Sequence, residues 1–177
     1  APDVRPGHGP RPTLAVVDRT RIGWLFVAVQ VVLLVALVLV PTGTAWALPG
    51  WLHLVAVGLV GAGLGGILAA SLTLGRALTP TPVPNGRGDL RTGGPYRVVR
   101  HPIYSGVLAV VAGVTLGTRQ WAGLAVGLAT VVFFTMKARW EEARLAEAFP
   151  EYAAYAASTP RFVPFLPRRL IRGAPPR

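Results

Sequence analysis

Four stretches of the chain are apolar at nearly every position, and short polar or proline-rich segments divide them. From Ile22 to Val40 only Gln30 interrupts the run. About 19 residues of helix reach about 28 Å, close to the hydrocarbon thickness of a bilayer. Pro41 to Pro49 carries no charge and predicts a short turn. A second run, Leu48 to Leu74, is broken only by His53 and small hydroxyl residues. Arg76 to His101 then forms a long polar loop, with the breaker run Thr79-Pro80-Thr81-Pro82-Val83-Pro84-Asn85-Gly86 inside it. Ordered loops of such length are uncommon and often functional. Two shorter runs, Ile103 to Thr118 and Trp121 to Met136, flank Gly117-Thr118-Arg119-Gln120 and predict a tight helical hairpin. The last helix is expected to continue past the apolar stretch towards Phe149, with Pro150 as its stop.

The expected fold is therefore an all-α integral membrane protein of about four transmembrane helices, near 22–40, 48–74, 103–118 and 121–140. The last two form the hairpin, and a cytoplasmic C-terminal helical segment follows. A single membrane domain over 21–166 lies between a disordered basic tail (1–20) and a second basic tail (167–177). Gly61, Gly63 and Gly66 match a dinucleotide-loop spacing, but no strand precedes them and the segment reads as a membrane helix. Gly61 and Gly65 are instead expected to let a neighbouring helix approach closely.

Composition supports the membrane reading. The chain is 52% hydrophobic and 14% charged, whereas soluble domains carry roughly 25% charged residues. The net charge of +11 does not point to nucleic acid. The basic residues flank the apolar runs instead of forming an aromatic-interleaved patch. They concentrate before the first run, in the middle loop and after the last run, while the Pro41–Pro49 turn has none and the hairpin turn only Arg119. The positive-inside rule then sets both termini and the middle loop on the cytoplasmic side of a multi-pass cell-membrane protein. Trp24, Trp51, Trp121 and Trp140 lie near the run ends, where aromatic belts form. The absence of cysteine excludes disulfides, thiolate metal sites and a cysteine nucleophile, and no metal site is expected.

Candidate chemistry gathers in two places. The first is Gly93 to Gly106, where Tyr96, Arg97, Arg100, His101 and Tyr104 surround Pro102. Proline suits the first turn of a helix. That helix would aim its positive end at a basic loop, a setting for an anion. The second is the end of the last helix. Only seven acidic residues exist, and Glu141, Glu142, Glu147 and Glu151 are four of them. Lys137 and Glu141 at i,i+4, and Arg139 and Glu142 at i,i+3, would pair on a solvated helix end. Alternatively, the carboxylates face an internal polar pocket at the membrane edge. Glu142 points about 100° around the helix from Glu141, so its loss is expected to matter less.

The order of these motifs resembles a known family. Gly94-Pro95-Tyr96, Arg100-His101-Pro102-Ile103-Tyr104-Ser105-Gly106, Glu141-Glu142, and Tyr152, Tyr155, Thr159-Pro160-Arg161-Phe162 with Pro164 are similar to the isoprenylcysteine carboxyl methyltransferase family. The likeness runs from about Leu90 to Pro164. The related phospholipid N-methyltransferases share the Arg-His-Pro and Glu-Glu signatures. The resemblance implies an S-adenosylmethionine-dependent membrane methyltransferase with a lipophilic acceptor: an isoprenoid-linked carboxylate, a thiol or a phospholipid amine. It implies cofactor contacts from Leu90, Arg91, Tyr96, Arg100, His101, Pro102, Ile103, Tyr104, Glu141 and Glu142. It places a basic residue one turn before Glu141 on the acceptor side, here Lys137 with Arg139 nearby; some members have arginine there. Partners other than membrane lipids and the acceptor are not implied. A membrane reductase of the sterol-reductase type and a non-enzymatic lipid-binding scaffold are the alternatives.

Overall fold

The computed structural model describes residues 14–75 and 90–164. The proline-rich run and the C-terminal tail lie outside the described residues. Among the described residues five α-helices follow in chain order: α1 (Leu14–Leu39), α2 (Gly50–Leu74), α3 (Pro102–Thr118), α4 (Trp121–Ala148) and α5 (Tyr152–Ser158). A 3-10 turn, Gly94–Arg97, precedes α3. Among the described residues there is no strand.

The chain is an all-α membrane protein. α1, α2 and α4 are each long and apolar enough to cross a bilayer, and α3 is a shorter apolar helix of 17 residues. Large apolar side chains such as Val38, Leu54 and Leu72 are largely exposed on the outer faces. That surface suits lipid and would be untenable in water. α1 begins at Leu14, earlier than the apolar run. Pro12 is the nearest breaker upstream, so nothing ends the helix at the membrane edge. α3 starts with Pro102 in its first turn and α4 runs to Ala148, one residue before Phe149.

The tightest helix pair is antiparallel α2 with α3. Its seam is built from small residues seven apart: Ala56, Gly63 and Ala70 are the buried residues of α2, and Gly106 and Gly113 are buried on α3. A Cβ at Gly63 would lie 2.5 Å from the Gly106 carbonyl, and one at Gly113 would lie 2.5 Å from the Ala56 carbonyl. Backbone therefore meets backbone at two levels of the seam. The expected packing glycines, Gly61 and Gly65, are not in it: nothing lies within 4 Å of a Cβ built on either. A spacing of four turns them onto the outer face, whereas the true seam follows a period of seven.

At one end of the bundle the Pro41–Pro49 turn docks on the α3–α4 connection. Gly43 N–H donates to Thr118 O at 2.7 Å and Ala45 N–H to Arg119 O at 2.9 Å. Arg119 adopts a left-handed conformation, φ 53°, and its Nε donates to Trp46 O at 3.1 Å. Trp46 meets Trp121 edge-on. The two-residue reversal between α3 and α4 is thus held by the neighbouring turn. The opposite end gathers the loop before α3, the end of α4 and α5.

Candidate active site

His101 caps α3 and is buried. Its backbone is fixed by the segment after α5: Arg100 N–H donates to Pro160 O at 2.8 Å and His101 N–H to Arg161 O at 3.2 Å. Ser105 Oγ, one turn into α3, donates to Phe162 O at 2.8 Å. The Arg-His-Pro loop and the Thr-Pro-Arg-Phe segment, 60 residues apart in sequence, are therefore stitched through backbone groups.

The imidazole of His101 lies between two carboxylates. Nε2 is 3.1 Å from Glu142 Oε1, and Nδ1 is 3.6 Å from Glu141 Oε2. The 100° offset between adjacent helical residues lets one ring address both. The two glutamates then have different surroundings. Glu142 receives Arg161 in a two-pronged grip, Nε to Oε1 at 2.8 Å and Nη2 to Oε2 at 2.6 Å. Arg100 Nη2 adds a second guanidinium at 3.4 Å. Both Glu142 oxygens are spent on the fold, and its side chain is only 12% exposed. The same hydrogen bonds hold the Arg161 guanidinium above its ordinary pKa.

Glu141 is held on one side only. Tyr104 OH donates to Oε2 at 2.8 Å, while Oε1 has no hydrogen-bond partner among the described residues. The side chain is 25% exposed. Tyr104 stacks on His101 with an interplanar angle of 1° and packs against Phe134. Tyr96 is buried in the 3-10 turn, and burial, reinforced by the Glu141 charge, raises its phenol pKa well above normal. Tyr155 OH donates to Tyr96 O, tying α5 to that turn. Tyr152 OH and Arg100 Nε are buried in the same network without a hydrogen-bond partner among the described residues.

The expected ion pairs along α4 are not formed. Lys137 Nζ donates to Gln30 Oε1 of α1 at 2.6 Å, and Glu142 is taken by Arg161 while Arg139 points out, exposed. Lys137 is 2% exposed. Its ammonium therefore donates to a polar partner inside the bundle, and Lys137 lies on the buried side of α4, away from the exposed helix end. Arg144–Glu147, at 4.0 Å, is the i,i+3 pair that does appear. Likewise, the anion met by the Arg100–His101 loop is the chain's own Glu142.

Of the residues expected to make contacts, Tyr96, Arg100, His101, Tyr104, Lys137, Glu141 and Glu142 come together at one end of the bundle. Pro102 is buried beneath His101, and Ile103 is half-buried on the first turn of α3. Leu90 is half-buried, Arg91 and Arg139 are exposed, and among the described residues no side-chain hydrogen bond or ion pair ties these three to the cluster. Gln30, Phe134 and Arg161 belong to the cluster although sequence reasoning assigned them no role in the site. Gln30 did carry a signal, as the lone polar residue of an apolar span. Among the described residues no group of three or more His, Asp or Glu side chains is arranged to hold a metal ion.

This helical frame, with its paired glutamates behind an Arg-His-Pro cap, can be compared with known proteins. The phospholipid methyltransferase family matches residues 51–152, more than half of the sequence. The chain belongs to that family. The match spans α2 to the start of α5 and includes His101, Tyr104, Glu141 and Glu142. It bears out the resemblance to isoprenylcysteine carboxyl methyltransferase-like proteins. The cobalt-zinc-cadmium resistance protein CzcN of Cupriavidus metallidurans is 39% identical over 111 residues, covering 61% of this chain and 50% of that protein. The nickel-cobalt-cadmium resistance protein NccN of Alcaligenes xylosoxydans xylosoxydans is 32% identical over 163 residues, covering 89% of this chain and 70% of that protein. The chain thus spans half the length of the first relative. No solved structure matches.

Proposed function

We propose that the protein is a membrane-embedded, S-adenosylmethionine-dependent methyltransferase acting on a lipophilic acceptor. Membership of a methyltransferase family supports the reaction class. The half-satisfied carboxylate of Glu141 carries the site assignment. Tyr104 and His101 hold one oxygen, and the other is open at the edge of the helix bundle. A carboxylate placed at such depth is costly unless it is paired or binds something.

The residues present fit the cofactor in their chemistry. Glu141 would accept hydrogen bonds from its ammonium or ribose hydroxyls. The aromatic faces of Tyr96 and Tyr104 suit adenine or a sulfonium. The open donors at Arg100 Nε and Tyr152 OH suit its carboxylate. When bound, the cofactor supplies an electrophilic methyl group. The protein's part is alignment and exclusion of water, both served by a buried, stitched loop. A carboxylate or thiolate acceptor needs no base. An amine acceptor does, and His101 or Glu141 is then the candidate. The names of the two relatives suggest that the acceptor is modified in the setting of resistance to divalent metals.

Calorimetry in detergent with S-adenosylhomocysteine and, separately, NADPH tests the reading. Binding of the former alone is expected. Glu141→Gln should weaken it by about 10- to 150-fold, the worth of a hydrogen bond to a charged group. Binding of NADPH alone would favour the reductase, and binding of neither the scaffold.

A further inference from the structure

Lys137 is the most deeply buried cation among the described residues. It projects from α4 towards α1, and its ammonium lies 5.2 Å from the ring centre of Tyr104 and 5.8 Å from that of Phe134. One of its three donors goes to Gln30 Oε1 at 2.6 Å. Among the described residues the other two have no hydrogen-bond acceptor, and no carboxylate lies within 4.0 Å. Glu141, the natural counter-ion one turn away, is engaged by the hydroxyl of Tyr104. The Tyr104 side chain therefore separates the two charges: Glu141 at its hydroxyl, Lys137 against its ring.

An ammonium at this depth with one neutral hydrogen-bond partner, two aromatic faces and no carboxylate in direct contact is only partly compensated. Cation–π contacts offset part of the cost. A purely structural lysine would be expected to meet a carboxylate or several carbonyls. Gln30 instead accepts a single bond and adds no charge, so it orients the ammonium, on which Glu141 acts only at a distance, from beyond the Tyr104 side chain. Gln30 also comes from α1, which lies outside the part of the chain that the family match covers. α1 thus contributes a polar side chain to a cluster otherwise formed by the matched region and the segment after α5.

We propose that Gln30 is a positioning residue of the acceptor site, fixing Lys137 so that its open donors take an oxyanion of a membrane-resident amphiphile. The location as an acceptor site rests on the methyltransferase reading; the selectivity for an anion does not. The shared chemistry is an anionic oxygen group on an apolar chain, either a carboxylate or a lipid phosphate. A primary amine is disfavoured next to the ammonium.

The full chain in a non-ionic detergent, without cofactor, is titrated by calorimetry with oleate, dioleoylphosphatidate, oleyl alcohol and oleylamine. At least one of the two anions should bind about tenfold or more tighter than oleyl alcohol, the effect of a charge-assisted hydrogen bond. The order of the two anions identifies carboxylate or phosphate. Lys137→Met should remove the preference. Gln30→Glu is the decisive variant: it places a counter-charge in direct contact with the ammonium, so thermal stability should hold or rise while anion preference is lost. Gln30→Met should lower anion affinity several-fold through a mobile ammonium. A folded Gln30→Glu protein that keeps the wild-type preference would overturn the proposal, as would equal binding of all four probes by the wild type. S-Adenosylhomocysteine binding is measured on the same samples. Its absence alongside intact anion selectivity would sink the methyltransferase reading and leave the anion site standing.

Discussion

Glu141 and Glu142 are adjacent and chemically identical, yet they serve different ends because their partners differ. Glu142 holds Arg161, Arg100 and His101 together. Its replacement by Gln should cost about 1.5–3 kcal/mol, seen as a lower melting temperature in detergent, since two partly buried guanidiniums lose their anion. Glu141→Gln should melt near wild type, because only one phenol bond is weakened. For stability Glu142 is therefore the more sensitive of the two, while the milder effect expected of its loss concerns cofactor binding and methyl transfer. Tyr155 gives a second test. Burial, its largest influence, lifts its phenol pKa from the ordinary 10.0 to about 12. The folded state therefore holds the proton more tightly than the unfolded chain. The resulting stability is fully present below pH 10 and is lost as pH rises towards 12. Tyr96 and Tyr152 shift in the same direction and add to the loss. Chemical denaturation at stepped alkaline pH should show this decline, and Tyr155→Phe should make it shallower.

The α2–α3 pair shows how small residues position the site. Gly106 lies one turn beyond His101 and Pro102, so the closeness of α3 to α2 sets where the Arg-His-Pro cap sits. Gly63→Ala places a methyl against the Gly106 carbonyl and should destabilise the protein by about 1–3 kcal/mol, the cost of overpacking. Gly61→Ala and Gly65→Ala meet open space and should be near neutral or slightly stabilising, since alanine is the better helix former. Melting curves of the three variants in one detergent check this. The α5 segment acts at longer range. Removing the Ser105 hydroxyl with Ser105→Ala breaks its bond to Phe162 O and should loosen the segment that carries Arg161, seen as faster proteolysis there.

For the molecule as a whole, the charge pattern proposes four membrane-embedded helices with both ends and the site cytoplasmic. Reporter fusions after Pro49 and after Arg177 should report opposite sides; the same side for both would rule the arrangement out. The helical class, the runs, Pro102 as a helix start and the end of α4 before Pro150 were all legible in the chain, because each follows from local chemistry: apolar length, proline geometry and the 3.6-residue period. The order of Arg-His-Pro, Glu-Glu and Thr-Pro-Arg-Phe also identified the family. Local spacing could not say which partner each charge takes. Lys137 and Glu141 stand at pairing distance along a helix, but the bundle buries Lys137 against Gln30, which is 107 residues away, and turns Glu141 to Tyr104. Arg161 reaches Glu142 for the same reason: desolvated charges take the partner that tertiary packing brings nearest. The glycine seam likewise depended on which face of α2 meets α3, and several glycines in one helix offer more than one such face. Periodicity along the chain thus determines the elements, while the pairing of their polar groups belongs to the bundle, where only contacts between helices decide which groups lose water together.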